Sequence, residues 1–235
     1  MGVGYNPRIV TDGLVLCLDA ANKRSYPGSG TTWTDRSANG YTGTLRNIPD
    51  SDFTSDGGGS FFLDGADEDI VVSSTEAARI STGDHTISAW VKNLANYEED
   101  FIGTGGTSQG DVLLMVFTYA GGGNGGFRGH AWSSNGSSNT IDSPNAIGTG
   151  NWNYLTQRVA WGGNIDLFEN GVLVKTQTLS GSAPTSSRTS VILGARSSGY
   201  RGTFYGNFAA THFYNRALTA KEIRQNYLAT KERYA

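Results

Sequence analysis

Carboxylates, one G-x-S-x-G string, three histidines and a few loop aromatics are the residues in this chain that could do chemistry. Glycoside hydrolysis needs two carboxylates flanking the scissile bond. On one strand they must be spaced by two to share a face. Glu98, Glu99 and Asp100 are consecutive and point to alternate faces, whereas Asp67 and Asp69 have the spacing but lie in a turn after Gly65. The string GTSQG (106–110) centres Ser108 in a nucleophile-elbow pattern, with Asp142 and His212 following in hydrolase order. An elbow needs a helix after it, yet DVLLMVF follows and reads as a strand. No catalytic residue is assigned, and the chain is read as a non-enzyme.

Metal chemistry has one candidate. DRSANG (35–40) imitates the opening of an EF-hand loop, but position twelve is Arg46 where a bidentate glutamate belongs. It is read as a structural turn. Asp64, Asp67, Glu68 and Asp69 crowd hard oxygen ligands into one stretch, so Asp64, Asp67 and Asp69 are the candidate Ca2+ ligands. No other cofactor is expected. His85, His130 and His212 lack zinc spacing, and the runs GTGG and GGGNGG lack the Lys-Ser/Thr of a phosphate loop. Tyr97, Tyr119 and Trp132 lie in or beside loops where a sugar ring could stack, and are the candidate carbohydrate-binding residues.

The elements that must position these groups read as short strands. GLVLCLDA (13–20) is an apolar run of buried-strand length, and HTISAWVKN (85–93) alternates, with Ile87, Ala89 and Val91 on one face. SFFLDG, DIVVSS, DVLLMVFTY, GFRGHAWSS, NYLTQRVAW, SVILGAR and YGNFAATHFYN are further strands, and Asn170-Gly171 marks a tight hairpin. The stretch from Asn22 to Leu45 is crowded with turn formers and reads as polar loop. At the far end Thr219 and Glu222 form a capping box, which starts a helix over 219–232 whose Ile223 and Tyr227 share a stripe with Tyr234.

Composition agrees. Glycine is 33 of 235 residues, about twice the usual ~7% share, which favours many turns over helical bundles. Net charge is −3, so no basic face for nucleic acid is expected. No apolar run reaches membrane length and no signal peptide opens the chain. Cys17 is the only cysteine and reads as a small buried hydrophobe. The expected fold is all-β: one antiparallel two-sheet jelly-roll sandwich over 13–235 with a short C-terminal α-helix, preceded by an arm over 1–12.

In order along nearly the whole chain, DGLVLCLDAAN, WTDRSANGYTGTL, FFLDGADEDIVV, HTISAWVK, NWNYLTQRV, LFENGVLV and GNFAATHFYNRALTAKEI resemble the concanavalin A-like lectin/glucanase superfamily, in its laminin-G-like branch. The glucanase branch carries a Glu-x-Asp-x-Glu-type strand, which is absent here. The acid that the family often carries after its late glycine is also missing from Gly206-Asn207-Phe208-Ala209-Ala210. The two ends of the chain are similar to domains in structural proteins of tailed bacteriophages.

That resemblance implies a virion protein, a head decoration rather than a tail fibre. It would be made in the host cytoplasm and bound to the major capsid protein or another virion protein, as a homo-oligomer on the particle. Tyr5, Asn6 and Arg8 of the arm are the candidate docking residues. The alternative is a carbohydrate-binding adhesin module recognising host-surface glycans, and a glycoside hydrolase ranks last. Neither nucleic acid nor membrane is an expected partner.

Overall fold

Alternation in His85–Asn93 sets the architecture. Ile87, Ala89 and Val91 are buried in the core between two sheets, whereas Trp90, one residue out of phase, packs in a separate cluster on the outside. The computed structural model describes residues 7–74, 79–94, 99–104, 114–117, 126–134, 136–185, 190–195 and 204–235. The strands are β1 (Leu14–Asp19), β2 (Thr32–Thr34), β3 (Thr42–Arg46), β4 (Phe53–Thr54), β5 (Ser60–Asp64), β6 (Asp69–Val72), β7 (His85–Asn93) and β8 (Glu99–Gly103). They continue with β9 (Leu114–Phe117), β10 (Phe127–Trp132), β11 (Ser138–Asp142), β12 (Trp152–Val159), β13 (Asn164–Glu169), β14 (Val172–Thr178), β15 (Val191–Leu193) and β16 (Tyr205–Tyr214).

The first sheet runs β14-β13-β12-β7-β16-β5-β4, with β1 also paired to β16. The second runs β11-β10-β9-β8-β15-β6-β3-β2. The predicted jelly-roll sandwich is therefore present, and its strand order is non-sequential in both sheets. Asn170 and Gly171 both take positive φ, 52° and 74°, closing the β13–β14 hairpin as expected.

Residues 22–45 depart from the reading as polar loop. They contribute β2 and β3, and Trp33 is fully buried, edge-on to Phe61 at 4.9 Å and to Phe208 at 6.4 Å. A three-residue strand shows one inward residue only, so no periodicity announces it. β11, which is not among the predicted strands, turns Asn139 and Ile141 inward, and its string SNTID carries too little apolar signal to announce the alternation.

The helix α1 spans Ala220–Thr230, and Lys231–Arg233 continue as a 3₁₀ turn. Thr219 caps it, accepting from the Glu222 N–H at 3.2 Å while Glu222 Oε2 accepts from the Thr219 N–H at 2.8 Å. Thr219→Ala is expected to lower stability by about 1 kcal/mol. A shifted urea midpoint at constant slope would register it; an unmoved midpoint would mean Arg216, which holds Glu222 at 2.6 Å, suffices alone.

The helix lies over the outer face of the first sheet. Ile223 packs with Phe168, Tyr214, Leu218 and Val10, and Tyr227 and Tyr234 pack on Trp90 and Tyr154. Asn226, which hydrophobic periodicity passed over, is fully buried there. Its Oδ1 accepts from the Val10 N–H (2.8 Å), its Nδ2 donates to Tyr214 Oη (3.0 Å), and that hydroxyl donates to the Val10 carbonyl (2.9 Å). Gln225 Nε2 also donates to the Arg8 carbonyl at 2.7 Å. The segment expected as a free docking arm is thus, from Arg8 onward, bound to the chain's own helix, although the Arg8 side chain is exposed. Tyr5 and Asn6 lie outside the described residues.

Candidate functional site

Trp132 ends an outward row on β10, together with Arg128 and His130, opposite Ser138, Thr140 and Asp142 of β11. Arg128 forks onto Asp142 (2.6 and 3.2 Å), and His130 Nδ1 meets Thr140 Oγ1 at 3.1 Å. The row is held from behind. Gln157 on β12 reaches across the sandwich, accepting from the His130 N–H (3.0 Å) and donating to its carbonyl (2.9 Å). Gly129 makes room for it, because a Cβ there would stand 2.7 Å from Gln157 Oε1. Trp132 is half-buried in this polar strip, while Tyr97 and Tyr119 lie outside the described residues. So does Ser108. Asp142 and His212 sit on different sheets, and the hydrolase order is coincidental.

The acidic stretch 64–69 does not assemble the expected Ca2+ ligand set. The β3–β6 register places Arg46 opposite Asp69, and its guanidinium takes both carboxylate oxygens. Asp67 accepts from Asn47 Nδ2 at 3.0 Å. Burial raises the Glu68 carboxyl above its ordinary range, and its hydrogen bond to Asp64 holds that carboxyl below. Asp69 is taken by Arg46, Asp67 by Asn47, and Asp64 and Glu68 by each other, and among the described residues no three His, Cys, Asp or Glu converge as metal ligands. Asp35 in DRSANG is likewise absorbed. Its oxygens accept from the Cys17 N–H (2.8 Å), the Ser37 N–H and Oγ (2.8 and 2.5 Å) and the Tyr41 N–H (3.2 Å).

Buried titratable groups offer no nucleophile. Burial, then the nearby Asp19 and Asp35 carboxylates, push the Cys17 thiol up to about 12. His85 and His212 are buried on the first sheet and pushed down to about 4 by desolvation, so both are neutral.

One end of the sandwich opens into a hollow of about 410 Å³. Four segments distant in sequence meet there: the entry to β1, the turn before β3, the approach to β7, and the residue after β16. They bring Thr11, Asn39, Tyr41, Asp84 and Asn215 to the rim, with Leu14 and Ile80 as apolar floor. The Asn215 N–H donates to the Gly13 carbonyl at 2.9 Å. Gly13 takes φ +73°, and a Cβ on it would lie 3.0 Å from Asn215 Oδ1, so glycine lets the amide sit at the rim. Asp84 Oδ1 accepts from the Trp161 N–H at 2.7 Å, and Asn39 Nδ2 donates to the Val15 carbonyl at 2.8 Å. Among the described residues, Asp84 Oδ2, Asn39 Oδ1, the Asn215 side-chain amide and the Tyr41 hydroxyl have no hydrogen-bond partner. Sequence reasoning missed this site, since no spacing links residues 11, 39, 84 and 215. Its trace was the set of strings DGLVLC, SANGY and FYNR, read above as family markers.

A family model for the laminin-G type, described as the concanavalin A-like lectin/glucanases superfamily, matches residues 64–224. Among solved structures, the receptor-binding domain of botulinum neurotoxin type G superposes with a TM-score of 0.66 at 17% identity over 92% of this chain and 51% of that one. The botulinum neurotoxin serotype D binding domain gives 0.66 at 15% identity, covering 93% of this chain and 52% of that one. A Trypanosoma rangeli sialidase in complex with the inhibitor DANA gives 0.63 at 15% identity, covering 96% of this chain and 35% of that one. The chain thus spans about half the length of the toxin domains and about a third of the sialidase, and the likeness is one of fold. No curated protein sequence matches it.

Proposed function

We propose that this chain, which belongs to the concanavalin A-like lectin/glucanase superfamily, is a non-catalytic binding module whose end hollow takes a glycan. One observation carries the reading. The hollow gathers unpartnered amide, hydroxyl and carboxylate oxygens around an apolar floor, yet among the described residues Asp84 is the one acid in its lining. Sugars are held by such planar polar groups, each satisfying ring hydroxyls, with the C–H face on apolar surface. Hydrolysis with two carboxylates needs a second acid across the bond, and none of the lining residues supplies it.

Titration of a glycan panel by ligand-observed NMR tests this. Micromolar to millimolar binding is expected, with Asn215→Ala and Tyr41→Ala each weakening it about tenfold, the worth of one or two hydrogen bonds. Affinity untouched by both substitutions would remove the hollow from consideration.

The setting we infer is a phage particle, with the module as a head decoration. It is supported by the resemblance of the two chain ends and by a compact jelly roll with no shaft among the described residues. A glycan-binding decoration would hold particles at a glycan-rich surface. Mass spectrometry of purified particles decides the setting: a fixed copy number supports it, and absence from particles removes it while leaving the binding reading intact.

A further inference from the structure

We infer that the hollow selects neutral sugars and rejects sialylated and uronate-bearing ones, an inference that rests on the glycan-binding reading. An acidic sugar is recognised by a cation that forks onto its carboxylate. None of the described residues lining the hollow is Lys, Arg or His. Arg216, which follows the lining residue Asn215, is committed. Its guanidinium holds Glu222 at 2.6 and 3.1 Å and Asp12 at 2.9 Å. Asp84 is exposed in the lining, and among the described residues its Oδ2 has no partner, which leaves a negative charge facing the hollow.

A carboxylate ligand would meet that charge with no compensating cation among the described lining residues. A neutral ring meets the opposite situation. Adjacent hydroxyls can donate to Asp84 Oδ2 and Asn39 Oδ1 and accept from the Asn215 amide, while Leu14, Ile80 and the Tyr41 ring receive the C–H face. Rejection here is built from repulsion as much as from attraction.

The test uses the full chain and matched pairs: lactose with 3′-sialyllactose, and the tightest neutral member of the panel with its sialylated or uronate counterpart. The neutral partner is expected to bind at least about tenfold tighter, the size of an unscreened like-charge contact at a partly solvated site. Asp84→Asn is expected to shrink that gap several-fold, and added salt to shrink it in the wild type. An acidic partner binding as tightly as the neutral one overturns the inference, as does a gap that Asp84→Asn leaves unchanged. If no glycan of either charge binds, the glycan-binding reading itself fails, a result distinct from binding without discrimination.

Discussion

Trp90→Ala is expected to destabilise the protein by about 3–5 kcal/mol, the range for removing a large buried aromatic. Trp90 is the hub of the outer cluster. Its ring stacks on Tyr234 at 4.0 Å and 17°, faces Tyr227 at 5.8 Å and Tyr154 at 5.2 Å, and its Nε1 donates to Thr230 Oγ1 at 2.8 Å. Truncation leaves a cavity between sheet and helix and removes the bond that Thr230 Oγ1 accepts, while its own donation to the Asn226 carbonyl at 3.0 Å remains. Trp90→Phe keeps most of the ring and loses the hydrogen bond, so about 1 kcal/mol is expected beyond the volume change. Denaturant unfolding measures both. Hydrogen exchange separates helix from sandwich: amides over 220–230 lose protection first, while those of β6 and β15 keep theirs. A Trp90→Ala loss below about 1 kcal/mol would show that the helix contributes little to the fold.

Acid is expected to weaken the fold well before the carboxylates titrate. Burial lowers His85 and His212 from 6.5 to about 4. His85 Nδ1 bonds the Gly83 carbonyl at 2.7 Å, and His85 Nε2 and His212 Nδ1 are buried without partners. Because the folded values lie below the unfolded one, the unfolded chain takes up protons first. Stability is full above pH 6.5 and is lost as pH falls through 4, by up to about 3 kcal/mol for each histidine. Glu222, which the Arg216 guanidinium lowers to about 2, extends the loss below 4.5 in the same direction. Urea midpoints at pH 7.5 and 4.5 check this, and His212→Asn is expected to remove about half the difference. Equal midpoints would mean that both imidazoles gain a proton at no cost within the fold.

What was legible in the sequence was local. The Asn170-Gly171 turn, the Thr219–Glu222 box and the alternation of Ile87, Ala89 and Val91 each carry their own signal within a few residues. The fold class followed from them. Trp33 and β11 were missed because a strand of three to five residues owes its pairing to partners far along the chain. The acidic stretch misled for the same reason: Arg46, which takes up Asp69, becomes its neighbour only through the β3–β6 register. The hollow is the extreme case, made of four segments with nothing in common until the sandwich closes. The Gln157 bracket that fixes the strand of Trp132 was not legible, since inter-sheet contacts leave no mark on spacing.

The bond network of Val10, Tyr214 and Asn226 constrains how the molecule comes into being. A ribosome delivers residue 10 more than two hundred residues before residue 226. From the delivery of β16, which completes the first sheet, until the helix follows, Trp90, Tyr154 and Phe168 have that sheet beneath them and nothing above. The nascent chain therefore carries an open aromatic face until the helix emerges, the kind of surface that invites chaperones and sticks to its neighbours. Substitutions in 220–234 consequently act on yield as much as on equilibrium stability, because they prolong the one stage at which this chain is unprotected.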